Sequence, residues 1–578
     1  MKKIHIILIS ILCGLSSCTS VLDKEPLDII SDDVLWNDPV LIDNYLLQCY
    51  AEMCFFNEMP YGATQDWFNC MYATGFADES TSAWTQTPKT HWLSISGGDW
   101  DWWGYPTVRK LNVFIEKMET APVDEAVRTA RTAEARFLRA FAYFNMVKRY
   151  GGVPLILKAQ QLSDSPEELY PKRATEEAVY QFNRLLPDAY GAADLGRPTL
   201  YAAAALKSRA AMYAGSIASW GTVQIDGLVG IPADKKEHFW QESLNASNRL
   251  LYGSPFALYE KYPDDRSKNY RNIFLDENNC EVIFSEIYDG KSGKGHSWDM
   301  WQNPSGYNAW AGGQQNCVYL EFVESYENID GSDPTIDREK VAQYYTWTLD
   351  ELWGKKDPRF KASIYTQGTP WTHEGASVTL DYHVGIFVDG QWINDGFYEG
   401  VPALGVCANN WRPTPFGILK YLDESSAMIP ERYYSKTDWI VFRLGEIYLN
   451  FAEAAFELNK PDSALWAVNK IRARAGMPEL QSITREQIRH ERKIELAFEG
   501  NRYWDVRRWR TAVQDLSHAW HGMRYKLDWA TQKYYVEIVD NICGTPEPYF
   551  NEMHYYWPIA QSRTQQNPNL LPNNPGWR

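Results

Sequence analysis

The 578-residue sequence predicts a mainly α fold: a tetratricopeptide-like scaffold of helical pairs, about eight helices in all, with a loop-rich subdomain containing a few short strands. Three observations predict it. Val441, Leu444, Tyr448, Phe451, Ala455 and Leu458 follow a 3-4-3-4-3 spacing, which draws one apolar stripe down a helix. A second pattern (Leu465, Val468, Ile471) follows the Asn459–Asp462 turn, and the small residues Ala452, Ala454 and Ala455 suit a close antiparallel crossing. Finally, residues 276–437 are rich in Gly, Asn, Asp, Pro and Trp, and only short stretches such as Glu281–Phe284 and Gly385–Val388 read as strands.

Taken in chain order, the first element is a leader. Lys2 and Lys3 precede the apolar stretch Ile4–Leu15, which has the charge and length of a secretory signal and is too short to span a bilayer as a stable helix. It ends Leu15-Ser16-Ser17-Cys18, which resembles the bacterial lipobox. That resemblance implies cleavage before Cys18, acylation of Cys18 and a lipid anchor, with residues 1–17 removed and residues 18–31 forming a linker. Helical scaffold is expected over 32–275 and 438–515, with candidate helices at Ala133–Tyr150, Thr175–Tyr190, Tyr201–Ser219 and Lys236–Leu251. Pro461 enforces one turn, and Gly476-Met477-Pro478 stops the helix after it. Residues 276–437 and 516–578 make up the loop-rich part.

Charge and motif content exclude several function classes. The 74 acidic and 57 basic side chains give a net charge of −17, which repels a phosphate backbone and argues against nucleic acid as a partner. Gly290-Lys291-Ser292 lacks the upstream Gly of a phosphate loop, because that position is Ser285. His490-Glu491 begins a zinc-binding HExxH pattern, but Ile494 stands where the second His is needed. Neither GxSxG nor GxGxxG occurs, so no catalytic residue is assigned and no cofactor is expected. No EF-hand spacing supports a structural Ca²⁺, and no metal ligand is assigned. A glycosidase needs only two suitably spaced carboxylates and leaves no linear signature, so a lipid-anchored glycoside hydrolase stays open; Asp78-Glu79 and Asp264-Asp265 are its nearest candidates, with solvated loop carboxylates as their default reading. Beyond Cys18, seven cysteines (49, 54, 70, 280, 317, 407, 543) form no CxxC, and their odd number predicts at least one free, buried thiol.

Four segments together resemble the SusD/RagB family of outer-membrane nutrient-binding lipoproteins. They are Cys18 with Leu22-Asp23-Lys24-Glu25-Pro26; Ala135–Phe144 leading to Arg149-Tyr150-Gly151-Gly152-Val153-Pro154-Leu155; Phe442–Asn450 through Ile471–Gly476 to Glu491-Arg492-Lys493 and Glu499–Asp505; and Trp557-Pro558-Ile559 with Asn567-Pro568-Asn569-Leu570. Their charged members (Glu491, Arg492, Glu499, Arg502, Asp505) are expected to hold helices together rather than bind ligand. The resemblance implies a non-catalytic, cell-surface glycan-binding lipoprotein and a SusC-like TonB-dependent transporter as partner, for which this chain is a hinged extracellular lid. A helical-repeat scaffold for protein or peptide is the remaining alternative.

Composition suits a sugar. The chain holds 25 Trp, 36 Tyr and 23 Phe, and a sugar's C–H face stacks on such rings while amides and carboxylates meet its hydroxyls. Two Ser/Thr/Gly/Asn-rich stretches carry candidate platforms: Trp67, Trp84 and Trp92 in one, and Trp298, Trp301, Tyr307 and Trp310 in the other. The resemblance places ligand-binding aromatics in loops of these two regions. Trp102 and Trp103 precede a helix start and read as packing.

Overall fold

The computed structural model describes residues 32–53, 55, 72–83, 94–97, 101–180, 194–290, 295–307, 313–408, 412–424, 433–543 and 549–577. The leader, Cys18 and the linker lie outside this set, as do Cys54, Cys70 and Lys291-Ser292.

Eight helices of eleven residues or more occur among the described residues: α1 (Pro39–Ala51), α2 (Tyr105–Met118), α3 (Glu125–Tyr150), α4 (Leu200–Trp220), α5 (Lys236–Gly253), α6 (Leu444–Glu457), α7 (Pro461–Ala475) and α8 (Arg485–Glu495). Local chemistry sets their ends. Asp38 accepts from the Val40 N–H at 2.8 Å and Pro39 fills the first position of α1. Thr484 and Gln487 form a capping box on α8. Gly476 ends α7 in the left-handed region at φ +79°. Of the expected Thr175–Tyr190 helix, Glu176–Val179 is described and residues 181–193 are not.

The helices pack as neighbours, α2 on α3, α4 on α5, α5 on α6 and α6 on α7. Small residues bring α4 and α5 together: Ser243 Oγ donates to Ser208 O at 3.0 Å, and a Cβ on Gly215 would lie 2.8 Å from the Trp240 indole. Past α3 the chain needs two glycines. Gly151 has φ +69°, and a Cβ on Gly152 would sit 2.0 Å from Ala174 O.

The strands include β1 (Ser80–Ser82), β2 (Val282–Glu286), β3 (Asn316–Val318), β4 (Thr346–Trp347), β5 (His383–Val388), β6 (Gln391–Ile393), β7 (Trp439–Arg443), β8 (Gly522–Asp528) and β9 (Lys533–Val539), with an antiparallel hairpin of Pro370–His373 and Ala376–Thr379 and several two-residue strands besides. Val441 therefore belongs to β7, antiparallel to β2, and not to the helical stripe; the chain turns helical only at Leu444. A five-stranded sheet runs β4-β9-β8-β5-β6, with β5 and β8 parallel. Met523, Tyr525 and Ile386 are buried on it, while Arg524 and Lys526 alternate to the other side. Residues 549–577 take another course. They lie against the helical block, where Trp557 N–H donates to Arg149 O at 2.7 Å, Asn574 Nδ2 to Tyr150 O at 2.9 Å and Arg173 Nη2 to Asn574 Oδ1 at 2.7 Å.

A buried web of charge ties the helices to the loop-rich part. Arg443 donates to Glu281 (2.8 Å), Glu495 (2.6 Å) and Glu499 (2.7 and 2.8 Å). Arg359 reaches Asp357 (2.7 Å), Glu491 (2.6 Å) and Glu495 (3.0 Å), and Lys420 reaches Glu499 at 2.9 Å. Arg474 joins Glu281 at 2.8 Å and also bonds Glu495. These side chains are all essentially shut off from solvent, so each charge relies on its partners for the hydration it lost. The charges matched to the family fall in the same class: Arg492 pairs with Asp505 at 2.8 Å, and Arg502 with Asp78 at 2.7 Å.

Candidate functional site

Two segments carrying candidate aromatics are rooted in one place. β1 and β3 pair antiparallel, Ser80 opposite Val318 and Ser82 opposite Asn316, and Ala83 N–H donates to Gln315 O at 2.9 Å. Ala83 is the residue before Trp84. On the partner strand's side Gly313 O accepts from Arg412 Nη2 at 2.6 Å, and residues 308–312, with Trp310, come just before. Trp67, Trp84, Trp92 and Trp310 themselves lie outside the described residues.

Beneath this ribbon is a lattice of side-chain amides and hydroxyls. Gln302 Nε2 donates to Asn316 Oδ1 at 2.6 Å; Asn316 Nδ2 donates to Thr74 Oγ1 at 2.7 Å and to Ser80 Oγ at 2.9 Å; Gln314 Nε2 donates to Thr414 O at 2.8 Å. Their Asn/Gln/Ser/Thr composition reads in sequence as hydrogen-bonding capacity for sugar hydroxyls. The structure pairs Gln302, Asn316, Thr74 and Ser80 internally instead, leaves the buried Gln314 Oε1 without a hydrogen-bond partner among the described residues, and makes of these groups a polar floor.

Two sequence candidates change role here. Trp298 and Trp301 sit on the short helix Trp298–Gln302 and are 0% exposed. Trp298 Nε1 donates to Lys420 O at 3.1 Å, and its ring lies 6.3 Å from Trp439 and edge-on to Tyr421 at 6.5 Å. Neither offers a face to a ligand in this structure; both fill the core under the loops. Tyr307 keeps part of its ring at the surface, 4.8 Å from the His373 imidazole. Trp102 is buried and Trp103 packs edge-on to Tyr150 at 5.2 Å.

Burial tunes the titratable groups around the floor. His296 accepts the Trp298 N–H on Nδ1 and faces Thr437 O with Nε2 at 2.9 Å, which places its proton on Nε2; burial pushes its pKa down to about 4. Burial pushes the Asp299 carboxyl up to about 7 against the opposing Asp423 N–H bond. Glu79 is driven by burial up to about 8, although the Phe498 N–H at 2.7 Å opposes this. Asp78 and Glu79 are therefore not a solvated pair. Burial acts to raise Asp78 too, but Arg502 and Lys493 outweigh it and hold its carboxyl well below the usual range. Asp265 caps a short helix by accepting from the Lys268 N–H at 2.9 Å. Glu491 is locked between Arg359 and Arg472, and His490 stands 3.5 Å from Glu327. Cys49, Cys317 and Cys407 are buried free thiols, Cys280 is an exposed one, and Cys543 is buried. Among the described residues no group of three or more His, Cys, Asp or Glu could hold a metal ion.

An open cleft of about 1170 Å³ lies between residues 259–279 and residues 361–370, 419–424 and 436–437. Its charges are largely spent on each other, Lys261 with Asp276 at 2.7 Å and Arg271 with Glu424 at 3.1 Å, and its one ring, Tyr259, has its hydroxyl bound to Asp276. Among the described residues its lining is rich in charged and amide side chains and offers no open stacking platform. Sequence reasoning missed a different surface, the outward face of the five-stranded sheet, where Phe387, Trp392 and Tyr535 cluster. The alternation in Lys533–Val539 was the available signal for it.

Among the described residues no helix is long and apolar enough to cross a membrane. A family model described as the SusD family matches residues 280–577, and one described as starch-binding, associating with the outer membrane, matches residues 22–213. A SusD-like protein of Formosa agariphila is 26% identical over 545 residues, covering 86% of this chain and 90% of that protein. Among solved structures, a SusD-like protein from Bacteroides fragilis superposes with a TM-score of 0.73 at 25% identity, covering 96% of this chain and all of that one. A SusD-like carbohydrate-binding protein from the same organism gives 0.67 at 21% identity, covering 93% and 100%.

Proposed function

The chain belongs to the SusD family, and from that premise we propose that it captures oligosaccharide or polysaccharide at the cell surface and delivers it to a SusC-like TonB-dependent transporter, held at the outer membrane by lipid on Cys18. One observation carries the binding part: the segments bearing Trp84 and Trp310 spring from a single hydrogen-bonded ribbon over a polar floor. We assign sugar stacking to Tyr307 and to the loop aromatics Trp67, Trp84, Trp92 and Trp310. Each stack contributes on the order of 1 kcal/mol, so several give reversible capture suited to onward transfer. The starch-binding model over residues 22–213 and the carbohydrate-binding neighbour support the same ligand class.

Capture without cleavage is the favoured chemistry. Asp78 is committed to Arg502 and Lys493, and Glu79 is sealed from solvent, so this acid pair cannot reach a glycosidic bond. Affinity electrophoresis through gels containing a panel of polysaccharides tests the reading. Retardation by at least one polymer, lost in Trp84→Ala/Trp310→Ala and without released reducing sugar, is expected. Steady release of reducing sugar, or binding of peptide but no glycan, overturns it. The anchor is tested separately: Cys18→Ala is expected to leave the membrane fraction, and retention there refutes it.

A further inference from the structure

The outward face of the five-stranded sheet breaks the rule that a half-solvated sheet is polar on its wet side. Its core face is already supplied by Met523, Tyr525, Ile386 and Val536. On the opposite face Phe387 and Trp392 stand as a directly paired cross-strand couple with ring centroids 4.9 Å apart. Tyr535 completes a triangle, 5.5 Å from Phe387 and 5.3 Å from Trp392. All three rings are half-buried, not sealed, so the cluster presents ring surface to solvent. The patch continues past the strand end, where Trp529 N–H donates to Phe387 O at 3.1 Å and the Trp529 ring meets Tyr398 at 5.0 Å.

Two cations interleaved with these rings share one carboxylate. Lys526 Nζ lies 5.2 Å from the Trp392 ring and 2.6 Å from Glu537 Oε2, and Arg524 stands 3.9 Å from the same carboxylate. The named groups thus leave a single net positive charge, at Arg524, beside the paired Lys526 and Glu537, a modest field. Such a face complements an uncharged, hydroxyl-rich chain better than an anionic lipid headgroup or a highly charged protein. The sheet also holds these rings rigidly, so little ordering is needed on contact.

We propose that this sheet face is a second glycan-binding site, which stacks a neutral polysaccharide on Trp392 and Tyr535 and engages its hydroxyls with Lys526 and Glu537. The proposal rests on the glycan-capture reading, and it adds a site built from none of the residues in the two aromatic-bearing loops. Two sites on one rigid body raise the affinity for a polymer long enough to reach both, and leave the affinity for a short oligosaccharide unchanged.

The test compares wild type with Trp392→Ala and Trp392→Ala/Tyr535→Ala on one polysaccharide that retards the wild type and on its short oligosaccharide. The variants are expected to lose roughly three- to tenfold in apparent affinity for the polymer and nothing for the oligosaccharide. Hydrogen exchange on the wild type with polymer gives an arm independent of the variants' folding, with protection expected in 385–393 and 524–537. Unchanged polymer affinity, an equal loss for both ligands, or no protection in those segments overturns the second site alone. A wild type that no polysaccharide retards overturns the functional reading and this proposal together.

Discussion

Glu79 offers a prediction that can be worked through quantitatively. Its carboxyl is fully buried beside the Asp78 carboxylate and accepts one bond, from the Phe498 N–H at 2.7 Å. Burial raises its pKa from the usual 4.5 to about 8. Between these two values the folded chain keeps a proton that the unfolded chain releases, so stability falls as pH rises through that window. The contribution is fully present below 4.5 and lost above about 8. At about 1.4 kcal/mol per pH unit the whole window is worth at most roughly 5 kcal/mol. Spread over the unfolding entropy of a chain this long, that corresponds to a melting shift of roughly 4 °C. Glu79→Gln stays neutral at every pH and can still accept the Phe498 bond. Asp299 titrates in the same direction, but it is present in both proteins and cancels in the difference. Asp78 is depressed, so its stabilisation is lost only as pH falls below the usual carboxylate range, outside the window. Melting curves of both proteins at intervals from pH 5 to 9 should therefore diverge, with the variant gaining on the wild type as pH rises. Parallel curves would show that Glu79 is not carried into the fold as the neutral acid, and the reasoning would fail.

Three further outcomes follow from side-chain placement. Trp298→Ala removes a fully buried indole and its bond to Lys420 O, and should cost about 3–5 kcal/mol in urea unfolding while glycan retention of the folded fraction stays intact; lost retention at unchanged stability would return Trp298 to the ligand. Arg443→Met strands Glu281, Glu495 and Glu499 without their shared guanidinium and should cost about 3–5 kcal/mol or prevent folding, with Arg443→Lys failing to restore it for want of the planar fork; a urea midpoint like the wild type's would refute the web's importance. Gly476→Ala places a side chain at φ +79° with its Cβ 2.9 Å from Arg266 Cγ, and should lower stability by about 1 kcal/mol or more in the same assay, so a neutral result would contradict the left-handed cap.

How much was readable beforehand varied with the kind of interaction. The Leu444–Leu458 stripe and the Gly476 stop were legible because helix periodicity and capping are local, and the four-segment resemblance fixed the architecture. Val441 was misplaced because a buried strand running straight into a helix leaves no break in an apolar pattern. The sheet was invisible because β5 and β8 become neighbours across some 140 residues, and no local signal encodes a parallel partner. A Trp in a Gly- and Asn-rich stretch looks the same whether its ring turns out to solvent or, like Trp298 and Trp301, in beneath the loop. The amides of Gln302, Gln314 and Asn316 were ambiguous for the same reason: a group that could serve a ligand could equally serve a neighbour.

The way residues 549–577 lie on α3 and its exit bears on how the molecule comes to be made. Tyr150 O and Gly152 O accept from Arg173, which in turn leans on Asn574, while Asn574 also donates to Tyr150 O and Arg563 donates to Asp101. These contacts of the early helical block therefore wait for the far end of the polypeptide, and such distant closure slows folding. A chain threaded outward through a narrow channel, start first, would complete these contacts only when its final stretch emerged.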